Sequence, residues 1–390
     1  MLDQNKENQL NNWLEQSVLN NRIPFGEISI SKENKNIYKY KIYTQDEKYK
    51  NNKLYRIHSL TKPITSLVSL IVLEKNNISV KEPISTFIPE FKKAKVLINE
   101  ELININTLIT FEHLLTHTSG LTYGFNNSNQ SILRGNTEAD SRYREKEILK
   151  NIQRSSYTSS DFVNDITSLP LAYQPGTRWN YSLSTDLLGV LLELICKQPL
   201  SEIYNSELFT PLDMNNTYFP SINLKNLIPT FKLSLPSGFK LINGTDQIIR
   251  EHKFLSGGGG IISTPQDYIK FCNHILDPKV SLINNNTLSK MKNNQLKHEM
   301  EYLTDKLNFY DFTFAGPGTG FSYGFSTIEN PNTVPQKTPK YILSWAGSLN
   351  TIVWIDQINK MVFTFFTQLI PFGYHNYKKE LHEILYSDIN

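Results

Sequence analysis

The chain has 390 residues, 39% of them hydrophobic and 12% aromatic, enough to bury a substantial core as one large domain or two interleaved ones, which argues against disorder. Its 40 basic and 37 acidic residues leave a formal charge of +3, a balance that gives no reason to expect nucleic acid or an anionic membrane as partner. The two cysteines, Cys196 and Cys272, exclude a disulfide framework and lend little support to a metal site, and no apolar run approaches the length of a membrane span.

The opening residues are polar and lack the apolar core of a secretion signal, so a cytoplasmic protein is expected. Leu10, Trp13, Leu14 and Val18 repeat at helical spacing and predict an amphipathic helix. A hairpin follows: Ile28 and Ile30 alternate with polar residues, residues 33–36 form a turn, and alternation resumes over 37–43. Tyr55-Arg56-Ile57 is strand-like. It leads into Ser59-Leu60-Thr61-Lys62 and then a helix whose apolar residues Ile64, Leu67, Val68, Leu70, Ile71, Val72 and Leu73 cover most of its circumference, the mark of a buried helix. Pro63 falls in its first turn, where a missing N–H costs least.

The Ser59–Lys62 spacing carries chemistry. Residues three apart share a helix face, so the Lys62 amine can reach the Ser59 hydroxyl, a weak nucleophile until something accepts its proton. Unpaired N–H groups at the helix start lie near any oxyanion that develops. The same spacing recurs at Ser29, Ser237 and Ser289, and only the Ser59 copy stands at the mouth of a buried helix.

Further along, helical periodicity and many loops alternate, with the polar stretch 126–144 expected to be mobile. The run Gly257-Gly258-Gly259-Gly260 lacks the Gly-Lys-Ser/Thr of a phosphate loop and predicts a tight backbone passage. Thr264-Pro265-Gln266-Asp267 is a helix cap. Strands are predicted over 321–328, 341–345, 351–355 and 361–367, with a turn at 356–359, and a last helix over roughly 376–386. These elements predict a mixed α/β fold of α+β type. One antiparallel sheet is built from both chain ends (a subdomain of about 1–75 and 250–390) and flanked by helices, with a mostly helical subdomain of about 76–249 inserted.

Four further segments complete a pattern: Phe111-Glu112-His113-Leu114-Leu115-Thr116-His117-Thr118-Ser119-Gly120-Leu121, Gln174-Pro175-Gly176-Thr177-Arg178-Trp179-Asn180-Tyr181-Ser182, Ser256-Gly257-Gly258-Gly259-Gly260 and Trp345-Ala346-Gly347-Ser348. In this order, and over nearly the whole chain, they resemble the penicilloyl serine hydrolases with a β-lactamase/transpeptidase-like fold. That group contains class C β-lactamases, D-aminopeptidase-like enzymes, and esterases and acyltransferases. The resemblance implies that Ser59 is the nucleophile, that Lys62 and Tyr181 are its base pair, and that the Ser59 and Ser348 amides form the oxyanion hole. It also implies that Trp345, Ala346, Gly347 and Leu183 line the substrate site. For Tyr181 the ordinary alternative is a core tyrosine with a satisfied hydroxyl. His113 and His117 fall in a structural helix and turn, and His58 should point away from the site.

Two departures bear on substrate choice. Where β-lactamases hold a substrate carboxylate and amide with polar groups, this chain carries Trp345 and Leu183. Burying an unpaired carboxylate against such side chains is costly, so small uncharged esters are expected over β-lactams. An acyltransferase, a D-amino-acid peptidase or a β-lactamase would share every motif, and a non-catalytic protein that keeps the penicillin-recognition fold is the competing class. The expected partner is a small-molecule ester or amide. Neither cofactor nor metal is called for, and the sequence does not indicate an oligomeric state.

Overall fold

The computed structural model describes residues 2–43, 51, 53–125, 137–220, 226–234, 238–242, 252–296, 301–302, 318–333 and 338–387. The opening helix α1 (Gln4–Leu19) starts on Asp3, whose carboxylate accepts the Asn5 N–H, and it buries Leu10, Leu14 and Val18 on one face. The predicted hairpin follows as β1 (Phe25–Lys32) and β2 (Lys35–Tyr43). Its turn is only two residues, Glu33 and Asn34, both at positive φ, tighter than the four expected.

The sheet is formed from both ends of the chain. β3 (Thr319–Phe321), β4 (Ser326–Ile328), β5 (Ile342–Gly347), β6 (Thr351–Asp356) and β7 (Met361–Phe366) join β1 and β2 in the order β3-β4-β5-β6-β7-β1-β2. All its pairings are antiparallel, and the β1–β7 seam, Glu27 opposite Phe366 through Lys32 opposite Met361, closes one chain end on the other. The single strand expected over 321–328 is instead two. The chain reverses at Ser322–Phe325, where Gly324 takes φ +107° and a Cβ would meet Ser66 Oγ at 2.8 Å.

Strand alternation sorts the sheet into two cores. Ile352, Trp354, Phe363 and Phe365 face one side with Leu10, Leu14, Leu381 and Leu385, the last two from α5 (Tyr377–Tyr386). Val353, Ile355, Val362 and Phe366 face the other, where the larger core gathers around α2 (Thr61–Lys75), α3 (Ser184–Cys196) and α4 (Pro265–Leu276). Every residue of α2 from Thr61 to Leu73 is buried, as its all-round apolarity requires. Thr264 caps α4 by accepting the Asp267 N–H, with Pro265 at the first position.

One stretch expected as a mobile loop is partly helical. Residues 126–136 lie outside the described ones, but 138–145 form a helix, Glu138–Glu145. Thr137 and Asp140 make a reciprocal capping box that holds its start, and the Thr122 hydroxyl donates to the buried Asp140 carboxylate. A polar composition hid this helix because its stability comes from the cap and from Ala139 and Tyr143 packed inward.

Candidate active site

Ser59 stands on a 3-10 turn, His58–Leu60, immediately before α2 and not on α2 itself. In a 3-10 turn residues i and i+3 eclipse, so the expected pairing survives the change of helix type. His58 reaches this turn at φ +43°, a costly conformation for a residue with a Cβ, and the kind of local strain that concentrates at functional sites. Lys62, 1% exposed, directs its Nζ to the Gly258 carbonyl at 2.7 Å and to Ser59 Oγ at 3.5 Å.

Tyr181 arrives from another part of the fold and donates its hydroxyl to Ser59 Oγ at 2.6 Å. It follows the short strand Arg178–Trp179 and precedes α3. Asn180 sets its height, the backbone N–H reaching the His117 carbonyl at 2.8 Å and the side-chain amide the Leu121 carbonyl at 2.7 Å. Rings from Tyr123, His117 and Trp345 pack on Tyr181 with centroids 5.0, 5.3 and 5.7 Å away. The Lys62 ammonium lies over the Tyr181 and Tyr123 rings at 4.7 and 5.2 Å, a placement that partly compensates a cation for lost water.

The strand edge beside Ser59 is bound to it directly. Trp345 Nε1 donates to the Ser59 carbonyl at 2.8 Å. A Cβ on Gly347 would stand 2.3 Å from the Ile57 carbonyl oxygen, so only glycine allows β5 to lie this close to the turn. Ser348, just past the strand end, is exposed. Among the described residues neither the Ser59 nor the Ser348 N–H is donated to a protein acceptor.

The expected wall residues are placed unevenly. Ala346 and Gly347 lie on the strand next to Ser59. Leu183, expected on the pocket wall, is fully enclosed in the core here, because it holds the N-cap position of α3 and packs inward. Trp345 is 1% exposed, its indole N–H committed to the Ser59 carbonyl. The other copies of the spacing have no such setting: Ser29 is buried within β1, Ser289 sits on the helix Asn285–Lys292 bonded to the Asn286 carbonyl, and Ser237 lies outside the described residues.

His58 and His117 are pushed toward the neutral form. Burial, with Arg56 and Lys62 adding repulsion, pushes His58 down to about 4. Burial and the Lys62 cation push His117 well below its ordinary value. His117 Nδ1 meets Ser182 Oγ at 3.3 Å, and its ring packs on Tyr181.

Sequence patterns missed two residues near the pair, Tyr123 and Asp186. Asp186 is buried in the first turn of the otherwise apolar α3, and an acid at such a position needs partners, the one signal that could have found it. No local pattern marks Tyr123. Among the described residues no cluster of three or more His, Cys, Asp or Glu could hold a metal ion, and no helix is long and apolar enough to cross a membrane.

A family model described as Beta-lactamase matches residues 10–382. Acyltransferase calJ of Penicillium decumbens is 26% identical over 343 residues, covering 82% of this chain and 76% of the relative. Esterase EstB of Burkholderia gladioli is 23% identical over 320 residues, covering 78% and 74%. Among solved structures, EstCE1, a hydrolase with promiscuous acyltransferase activity, superposes with a TM-score of 0.82 at 20% identity over 98% of this chain and 99% of that one. Unliganded simvastatin synthase (LovD) from Aspergillus terreus does so with a TM-score of 0.78 at 19% identity over 99% of each chain.

Proposed function

This chain belongs to the Beta-lactamase family, and from that premise we propose that it is a serine hydrolase whose Ser59 forms a covalent acyl-enzyme, acting chiefly as a carboxylesterase on small uncharged esters. The observation that carries this is the convergence on Ser59 Oγ of the Tyr181 hydroxyl at 2.6 Å and the Lys62 amine at 3.5 Å.

In this scheme the Lys62–Tyr181 pair accepts the Ser59 proton as Oγ bonds to the substrate carbonyl carbon. Both groups contact Ser59 Oγ, so the base belongs to the pair. The oxyanion of the tetrahedral intermediate settles between the Ser59 and Ser348 N–H groups. The pair returns the proton to the leaving alcohol, and the same steps run in reverse with water release the acid. An acceptor alcohol in place of water makes the chain an acyltransferase, a second reading favoured by the names of its relatives calJ and LovD.

The preference for uncharged esters rests on the residues around Ser59. Tyr123, Phe125, Tyr181 and Trp345 form a connected aromatic set, with Tyr123 and Phe125 stacked at 5.0 Å, and none of them can neutralise a substrate carboxylate.

A fluorophosphonate probe followed by peptide mapping tests the nucleophile. Label on Ser59, lost in Ser59→Ala, is expected, whereas folded protein that takes no label would favour a binding protein without turnover. Short-chain nitrophenyl esters should turn over faster than a chromogenic cephalosporin, and the reverse order would overturn the pocket argument. Adding an alcohol acceptor and measuring ester product against free acid separates transfer from hydrolysis.

A further inference from the structure

Lys62 does not reach Ser59 unaided. Its ammonium is received by the Gly258 carbonyl, and the backbone there is threaded between α2 and α3. A Cβ on Gly257 would stand 2.5 Å from the Thr185 carbonyl oxygen, and one on Gly258 would stand 2.3 Å from Asp186 Oδ2. Asp186, 1% exposed, holds this passage in place. Its Oδ1 accepts the Gly258 N–H at 3.1 Å and the Ser256 hydroxyl at 2.5 Å, and its Oδ2 lies 3.5 Å from the Tyr123 hydroxyl.

We propose that Asp186 is a positioning residue for the Lys62–Tyr181 pair. One carboxylate oxygen fixes the Gly258 backbone that receives Lys62, and the other faces Tyr123, whose ring packs on Tyr181. The proposal rests on Ser59 being the nucleophile and adds to that assignment a buried carboxylate that touches no reacting atom. The carboxylate has an electrostatic part as well as a mechanical one. Burial, the largest effect, raises the Asp186 carboxyl above its ordinary value, and the Lys62 cation and the Ser256 and Gly258 donors oppose that rise. The groups around it are Lys62 from α2, Tyr123 and Tyr181 from their loops, and Tyr204 from the helix Leu200–Tyr204. His58 and His117 face Lys62, and burial pushes both below the ordinary imidazole range.

Asp186→Asn keeps the shape and deletes the charge. With 4-nitrophenyl butyrate, kcat is expected to fall about 10²-fold with KM nearly unchanged, because the base is misplaced while the acyl pocket is not. A purely structural Asp186 would lower the urea midpoint and leave kcat of the folded variant at the wild-type level, and an unchanged kcat overturns the proposal. Should Asp186→Asn fail to fold, Ser256→Ala decides the question. It removes one of the donors that fix the same carboxylate and should lower kcat by less with KM unchanged, and a wild-type kcat is again fatal. If wild-type protein takes no fluorophosphonate at Ser59, the acyl-enzyme itself is refuted, a failure visible before any Asp186 variant is made.

Discussion

Replacing Lys62 with methionine separates chemistry from packing. The side chain is 1% exposed, and its amine sits 2.7 Å from the Gly258 carbonyl oxygen and 3.5 Å from Ser59 Oγ. Methionine is unbranched and adaptable, so it fills the same channel without the amine. The fold should lose stability, because the buried Gly258 carbonyl loses its donor, at about 1–3 kcal/mol, and the buried Asp186 carboxylate loses the cation that favours it. Urea unfolding measures that loss, and activity is compared where the variant is folded.

Nothing offsets the loss in activity. A positioned proton acceptor contributes about 10²–10⁴ in rate, or about 3–5 kcal/mol of barrier, and kcat/KM for a nitrophenyl ester should fall by that factor. His117→Ala supplies the contrast. It removes a ring packed 5.3, 5.6 and 6.2 Å from Tyr181, Phe321 and Trp179, and should cost about 2–5 kcal/mol of stability with a smaller loss of activity. If Lys62→Met keeps activity within about tenfold of wild type, or His117→Ala loses as much as Lys62→Met, Lys62 is not part of the base pair.

Tyr181→Phe deletes the 2.6 Å hydrogen bond to Ser59 and keeps the ring contacts, so kcat should drop about 10²-fold with the urea midpoint little changed; full activity would return Tyr181 to the core residues. Gly347→Ala places a methyl 2.3 Å from the Ile57 carbonyl oxygen, which should cost about 1–3 kcal/mol and push β5 off the Ser59 turn. A variant with wild-type stability and rate would show that this approach is not needed. Acid should destabilise the fold through its buried neutral histidines. Burial lowers His274 to about 4 and His382 to about 3, so the unfolded chain, with histidines near 6.5, binds protons first. Their contribution is fully present above about pH 6.5 and is lost as pH falls toward those values, about 3 kcal/mol for His274. Urea unfolding at pH 7 and 4.5 measures it, and His274→Leu should flatten the slope. Equal stability at the two pH values would contradict the assignment.

Local structure could be read wherever a short period carried it. The all-round apolarity of α2, the Ile28–Ile30 alternation and the Thr264-Pro265 cap each specify an element through neighbours a few residues apart, and each formed. The reading failed where a cap or a single glycine outweighed composition. Thr137 and Asp140 made a helix from a polar stretch, and Gly324 turned one predicted strand into a hairpin. Leu183 shows a different limit. Its position in a motif placed it near the site, but only the packing of α3 decided that its side chain points into the core.

The amino-acid order alone set the spacing of Ser59 and Lys62, because residues three apart on a helical turn share a face whatever surrounds them. It also marked strands near both termini. Only the assembled molecule brought Tyr181 across 122 residues to Ser59, and Asp186 across 72 to Gly258. Contacts at such separations depend on which apolar faces bury one another, and that choice is made by close packing of the whole core, which short-range periodicity does not encode.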